Sequence, residues 1–242
     1  MGIRPFIRDV VEEFLGRTLG KTSLAPPTME SSFKRILKRG GEIRSVIDIG
    51  ASDGRWSARA RRYFPDAFYL LMEAQPVHEP KLVSYKKQNS NVDFVMAAAG
   101  DKVGEIYFDA SNPFGGLASH TPLPGNCITV PVTTVDAEVQ RRSLRPPFLM
   151  KFDTHGFEVP ILKGAADTLR STSLVVMEVY NFNVAEGGLR FYEMCSYLEQ
   201  NHGLRCVDLA DPLYRPKDGV LWQLDLFFAP ASDPIFSSRR YS

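Results

Sequence analysis

The chain has 242 residues, 44% of them apolar, which suits one folded domain with decorations or a domain plus an extension. Its 29 Lys and Arg nearly balance 28 Asp and Glu, and a net charge of +1 gives no electrostatic case for a nucleic-acid partner. Three widely spaced cysteines without a C-x-x-C argue against a disulfide framework or zinc knuckle, and no apolar run nears the roughly 20 residues that span a bilayer.

The first predicted element is an amphipathic helix carrying Ile3, Phe6, Ile7, Val10, Val11, Phe14 and Leu15 at helical spacing. Its polar face mixes acids and bases, so it is expected to pack on its own domain or on a twin subunit rather than on a membrane. A homodimer is therefore one expected partner. The charges at Arg4, Arg8 and Asp9 interrupt any signal-peptide core, so a cytoplasmic location is expected. Pro26-Pro27 breaks the helix, and a second one carries Phe33, Ile36 and Leu37 up to Gly40-Gly41. These pieces make an N-terminal helical extension over 1–44.

From Ser45 onward, strand and helix alternate. Strands are predicted at 46–49, 68–72, 92–96, 148–152, 174–178, 206–209 and 221–228, with helices around 56–63, 159–169 and 189–200. Several strands are continuous apolar runs, as in a sheet covered on both faces. The pattern predicts an α/β fold, doubly wound, with a mostly parallel seven-stranded sheet over 45–230 and a tail over 231–242. An insertion at about 104–135, rich in Gly, Pro, Ser and Thr, separates the third and fourth core strands. It holds strand-like pieces at 105–108 and 128–132.

In an open parallel sheet, ligands bind beyond the carboxyl ends of the strands. The first strand ends in Val46-Ile47-Asp48-Ile49-Gly50-Ala51-Ser52-Asp53-Gly54. This is a buried strand, a glycine turn and a helix start in succession. Glycine lets a ligand lie against bare backbone. The carboxylate of Asp48 suits an ammonium group, as carried by S-adenosylmethionine (SAM), better than a pyrophosphate. A dinucleotide is the alternative, but Ser52 stands where the NAD fingerprint has its middle glycine. Gly50, Ser52 and Gly54 belong to the expected cofactor site.

The second strand ends at Glu73, about twenty residues on, where an acid can accept both ribose hydroxyls. The third runs into Ala97-Ala98-Ala99, and Ala98 is expected beside a flat adenine. The fourth ends in Lys151-Phe152-Asp153-Thr154-His155-Gly156-Phe157-Glu158, the densest polar set at any strand end. Asp153 and His155 are its catalytic candidates, whereas Glu158 also suits a helix start. The fifth ends at Glu178, followed by Tyr180 and Asn181. Glu178 and Asn181 are expected to hold an acceptor. Two carboxylates there suit sugar hydroxyls better than a metal, because a hard-cation site usually shows more oxygen ligands. In the insertion, Gly115-Gly116 suggests a lid, and Phe114 and His120 are candidates to stack on a sugar face.

Together these residues resemble the FkbM family of SAM-dependent methyltransferases. The match lies in the glycine motif, Glu73-Ala74-Gln75-Pro76, Ala98-Ala99-Gly100-Asp101 with Gly104, and above all the Asp-x-x-Gly-x-Glu signature of Asp153, Gly156 and Glu158. Ile161-Leu162-Lys163-Gly164-Ala165, Asp208 to Asp211 and the final strand Leu221-Trp222-Gln223-Leu224-Asp225 also fit. The resemblance implies a class I, Rossmann-like methyltransferase fold and O-methylation of a hydroxyl on a sugar, glycolipid, polysaccharide or secondary metabolite. It implies that Asp48, Gly50 and Glu73 hold SAM and that Asp153 lies beside the transferred methyl. His155 stands where many relatives have an acid or amide. With an unperturbed pKa of about 6.5 it suits a general base, and Asp153 can orient it. The rival functions are a nicotinamide-dependent oxidoreductase and a non-catalytic module that binds SAM or a glycan.

Overall fold

The computed structural model describes residues 27–240, so the helix expected at the extreme N-terminus lies outside the described residues. In chain order the strands are β1 (Ser45–Ile49), β2 (Phe68–Glu73), β3 (Val92–Met96), β4 (Ala98–Ala99), β5 (Gly104–Asp109), β6 (Leu117–Ser119), β7 (Cys127–Thr133), β8 (Phe148–Phe152), β9 (Thr172–Tyr180), β10 (Leu204–Tyr214) and β11 (Leu221–Pro230). The main sheet has seven strands in the order β10-β11-β9-β8-β1-β2-β3. β3, β2, β1, β8 and β9 run parallel, whereas β11 is antiparallel to both β9 and β10. This is the doubly wound class I methyltransferase architecture. The order reverses beside β1, where β2 lies on one side and β8 on the other. Such a switch point opens a crevice at the strands' carboxyl ends.

The apolar runs are continuous because both sheet faces are buried. Strand alternation sends Ile47, Ile49, Leu70 and Met72 into one core cluster and Val46, Tyr69 and Leu71 into the other. The second cluster also takes in the helix Met29–Lys38 through Phe33, fully buried against the rings of Trp56, Tyr63, Phe64 and Phe227. Thr28 starts that helix by accepting the Ser31 N–H, and Arg35 clamps it to β10 through both oxygens of Asp208. No described helix is long and apolar enough to cross a membrane.

The insertion adds β5, β6 and β7 to β4 to make a second, four-stranded sheet in the order β4-β7-β5-β6. The predicted pieces at 105–108 and 128–132 are β5 and β7, joined antiparallel. Two other elements differ from expectation. The helix expected over 159–169 is two short helices, Glu158–Lys163 and Ala166–Leu169. They separate at Gly164, where a Cβ would stand 2.0 Å from the Gly100 carbonyl oxygen, so only glycine lets the insertion's start approach. The strand expected over 206–209 extends over all of β10, because its irregular register with β11 hides the period-2 pattern.

Candidate active site

The carboxyl ends of β1 and β8 meet over Gly50. Its φ of 74° is left-handed, and a Cβ would stand 2.0 Å from the Asp153 carbonyl oxygen. The N–H groups of Gly50 and Ala51 both donate to Met72 O at the end of β2, and Asp153 N donates to Ile49 O. Three strand ends are thus tied by main chain around one point. Beside it lies a cleft of about 870 Å³, counted to its open mouth.

At one end of the cleft sits Glu73, only 6% exposed. Its Oε2 accepts the Ser52 N–H at 2.6 Å and its Oε1 accepts the Gln75 N–H at 2.7 Å. Each oxygen keeps a lone pair for a further donor. Burial, which outweighs those N–H donors, holds the Glu73 carboxyl above its ordinary range. Ala97, Ala98 and Ala99 give the cleft a small, apolar wall. The loop before β6 closes over it. Gln75 Nε2 donates to Asn112 O at 2.8 Å, and the His78 ring meets Pro113 O at 2.6 Å. A Cβ on Gly116 would stand 2.3 Å from the Phe108 ring and 2.6 Å from Gln75 Nε2, so glycine is what lets this loop seat. Phe114 lies at the rim under the Arg55 guanidinium, 4.6 Å from its ring centre, and beside His78.

At the other end, Asp153, His155 and Glu178 come together. Lys151 is buried on β8 and reaches Asp153 Oδ2 at 2.9 Å, Gly50 O at 3.2 Å and Asp48 Oδ1 at 3.4 Å. Burial alone would lower its pKa, but Asp153 and Asp48 overcome this and hold the ammonium charged. Burial would likewise raise the Asp153 pKa, yet Lys151 and then His155 hold it below the ordinary carboxylate range. His155 adopts a left-handed φ of 54°. Its Nδ1 donates to Gly116 O at 3.0 Å, and its Nε2 lies 3.5 Å from Asp153 Oδ1 and 3.7 Å from Glu178 Oε1. Burial, then repulsion from Asp153, pushes the Glu178 carboxyl up. Its oxygens accept the Tyr180 hydroxyl and Gln223 Nε2.

Gly50, Ser52, Glu73, Ala98, Phe114, Asp153 and His155 line the cleft. Five other candidates stand elsewhere. Asp48 is fully buried, with Oδ2 accepting the Ser57 hydroxyl at 2.6 Å, so it anchors a helix and Lys151 rather than facing a ligand. Gly54 makes the left-handed entry into the helix Arg55–Ala60 and does not line the cleft. Glu178 sits behind His155, outside the lining. Asn181 is fastened to β11 through Trp222 O and Leu221 O. His120 packs on Phe157, its ring centre 5.5 Å away, rather than in the cleft. Glu158 takes the structural role, accepting Gly156 N and the Thr154 hydroxyl. The carboxylates that reach the cleft, among the described residues, are therefore Glu73 and Asp153. The sequence motifs contain Lys151 and Gln75 without showing their roles, and His78 lies outside those motifs. A lysine two residues before Asp153 on an otherwise apolar strand was the available signal for the first, since alternation puts both on one face.

The methyltransferase FkbM domain model matches residues 48–206, more than half of the chain. No curated protein is similar enough to count as a match. Among solved structures, a precorrin-6y C5,15-methyltransferase from Geobacter metallireducens shares 13% identity at a TM-score of 0.43, covering 86% of this chain and 92% of that one. A SAM-dependent methyltransferase from Aquifex aeolicus shares 14%, with a TM-score of 0.43 and coverage of 81% and 88%. Aeropyrum pernix fibrillarin, with natively bound SAM, shares 12%, with a TM-score of 0.47 and coverage of 76% and 66%. The match runs from the end of β1 through the cleft and both strand ends that carry Glu73 and Asp153, and by it the chain belongs to the FkbM family of SAM-dependent methyltransferases.

Proposed function

We propose that the chain binds SAM in this cleft and transfers its methyl group to a hydroxyl of a small-molecule or glycan acceptor. One observation carries the reading: the two carboxylates that reach the cleft stand at different strand ends, with bare Gly50 and an alanine wall beside them. The donor set fits the cofactor. Glu73 offers one free lone pair on each fixed oxygen to a ribose diol, and the alanines leave room for a flat base. With Asp48 withdrawn, Asp153 is the carboxylate available to a cationic group at the far end. Bound SAM supplies a methyl already activated as a sulfonium.

The chain must then align an acceptor oxygen, exclude water and dispose of a proton. The Gly116 loop covers the cleft, and the group of Asp153, His155 and Glu178 is the polar centre where a hydroxyl and its proton are handled. Charge favours an acceptor without phosphates. The two cations lining the cleft, Arg55 and Lys151, are already paired with Asp53 and with Asp153. A cytoplasmic setting accords with three free cysteines. The test is methyl transfer from labelled SAM to a panel of sugars, glycolipids and hydroxylated metabolites, with the product located by fragmentation. Methyl ethers support the reading. Binding of SAM with no transfer to any hydroxyl would favour the non-catalytic module, and transfer to carbon or nitrogen would replace the chemistry.

A further inference from the structure

We propose that Asp153, His155 and Glu178 form a binding site for one divalent metal ion of the Mn²⁺ or Mg²⁺ class, open to the cleft on the acceptor side. The inference deepens the O-methyltransferase reading and rests on it for its role, though not for its test. Asp153, His155 and Glu178 each offer one ligand atom, and these atoms all lie within 4.8 Å of one another. The distances from His155 Nε2 to Asp153 Oδ1 and Glu178 Oε1 are 3.5 and 3.7 Å. Metal–ligand bonds of about 2.1 Å at angles of about 90–110° put neighbouring ligand atoms about 3–3.5 Å apart. Closing onto an ion thus asks only small side-chain shifts.

Asp153 and His155 are each held from the side that a metal would not use, and Glu178 is held through both oxygens. His155 Nδ1 donates to the Gly116 carbonyl, which can only accept, so the neutral ring carries its lone pair on Nε2. A metal-ligating histidine is fixed in this way, by donating its second nitrogen to a carbonyl or carboxylate. Asp153 gives Oδ2 to Lys151 and leaves Oδ1 toward His155. Glu178 gives Oε2 to Gln223, while Oε1 faces the ring and also accepts the Tyr180 hydroxyl, keeping a lone pair for a further partner. Three acceptor atoms therefore face one another, with the Tyr180 hydroxyl donating to Glu178 Oε1, and a positive charge between them would stabilise the group.

A divalent ion supplies that charge and keeps open positions for acceptor oxygens, lowering the pKa of a hydroxyl that it binds. Three protein ligands on one side of a six-coordinate ion leave room for two neighbouring oxygens of one molecule. The acceptor class that gains most is therefore a vicinal diol or a hydroxyl next to a carbonyl. The carboxylates alone suggest hydroxyl binding; the nitrogen that the fold adds to them is what makes a metal set.

The test is titration of the apo chain with Mn²⁺, with free ion read by electron paramagnetic resonance, alongside calorimetry with S-adenosylhomocysteine. We expect one Mn²⁺ per chain, at least tenfold weaker binding in Glu178→Gln and His155→Ala, and unchanged S-adenosylhomocysteine affinity in both variants. A wild type that binds S-adenosylhomocysteine but no Mn²⁺ would overturn the proposal. Equal Mn²⁺ binding in wild type and both variants would overturn it as well. If Mn²⁺ binds at these residues and S-adenosylhomocysteine does not bind, the site stands and the methyltransferase reading fails.

Discussion

At the Glu73 end of the cleft, main-chain groups do the positioning: two N–H donors fix one carboxylate, and Gly50 and three alanines leave space. At the Asp153 end the work falls to side chains from different strands and turns, which hold one another through Lys151, Gln223 and a single main-chain carbonyl. The first end is a preformed mould whose walls are glycine and alanine. The second is a charge cluster whose state depends on what enters it. Substitutions at the two ends should accordingly fail in different ways, one in binding and the other in turnover.

The largest effect is expected at His155. His155→Ala should lower kcat about 10²–10⁴-fold with S-adenosylhomocysteine affinity unchanged, read by steady-state kinetics and calorimetry. A variant with full turnover would remove His155 from the chemistry. Next is Gly50→Ala, which adds a Cβ against the Asp153 carbonyl at a left-handed φ. It should cost about 2–5 kcal/mol in chemical denaturation and damage both ends together, because it sits where their strands touch. Intact stability and binding would show that β1 and β8 are not locked there.

Glu73→Ala should affect the mould alone, weakening S-adenosylhomocysteine about 10–100-fold through the loss of charge-assisted hydrogen bonds. Unchanged affinity would refute its ribose role. The smallest effect is a pH dependence from the cluster. Burial, followed by repulsion from Glu178, pushes Asp225 up to about 7. The folded chain then keeps a proton that the unfolded chain releases above about pH 4. This contribution to stability is complete below that pH and is lost as pH rises through about 7. In metal-free buffer, Asp225→Asn should flatten the fall in stability between pH 4 and 7 by on the order of 1–3 kcal/mol. A parallel pH profile in wild type and variant would contradict the assignment.

The difference between the ends also explains what the sequence could show. Gly50, Ser52, Glu73 and the alanines are contiguous with their strands, so spacing alone places them, and they line the cleft, whereas Gly54 turns into the next helix. The seven core strands were legible for the same reason, being apolar runs between turns. Asp48 misleads because a strand-end acid points either out to the cleft or back into the core. The choice depends on Ser57 and Lys151, one of which lies about a hundred residues away. Asn181 and His120 mislead likewise: Trp222 O and Phe157, which hold them, come from other strands and turns. The ring orientation of His155 needs Gly116 from the insertion, and no local pattern records that pairing.

The central claim is that one cleft joins a cofactor mould at Glu73 to a reactive cluster at Asp153. It is tested most directly by calorimetric titration of wild type, Glu73→Ala and His155→Ala with S-adenosylhomocysteine. The account predicts micromolar binding in wild type, weakened at least tenfold by Glu73→Ala and untouched by His155→Ala. No binding by wild type, or equal loss in both variants, would contradict it.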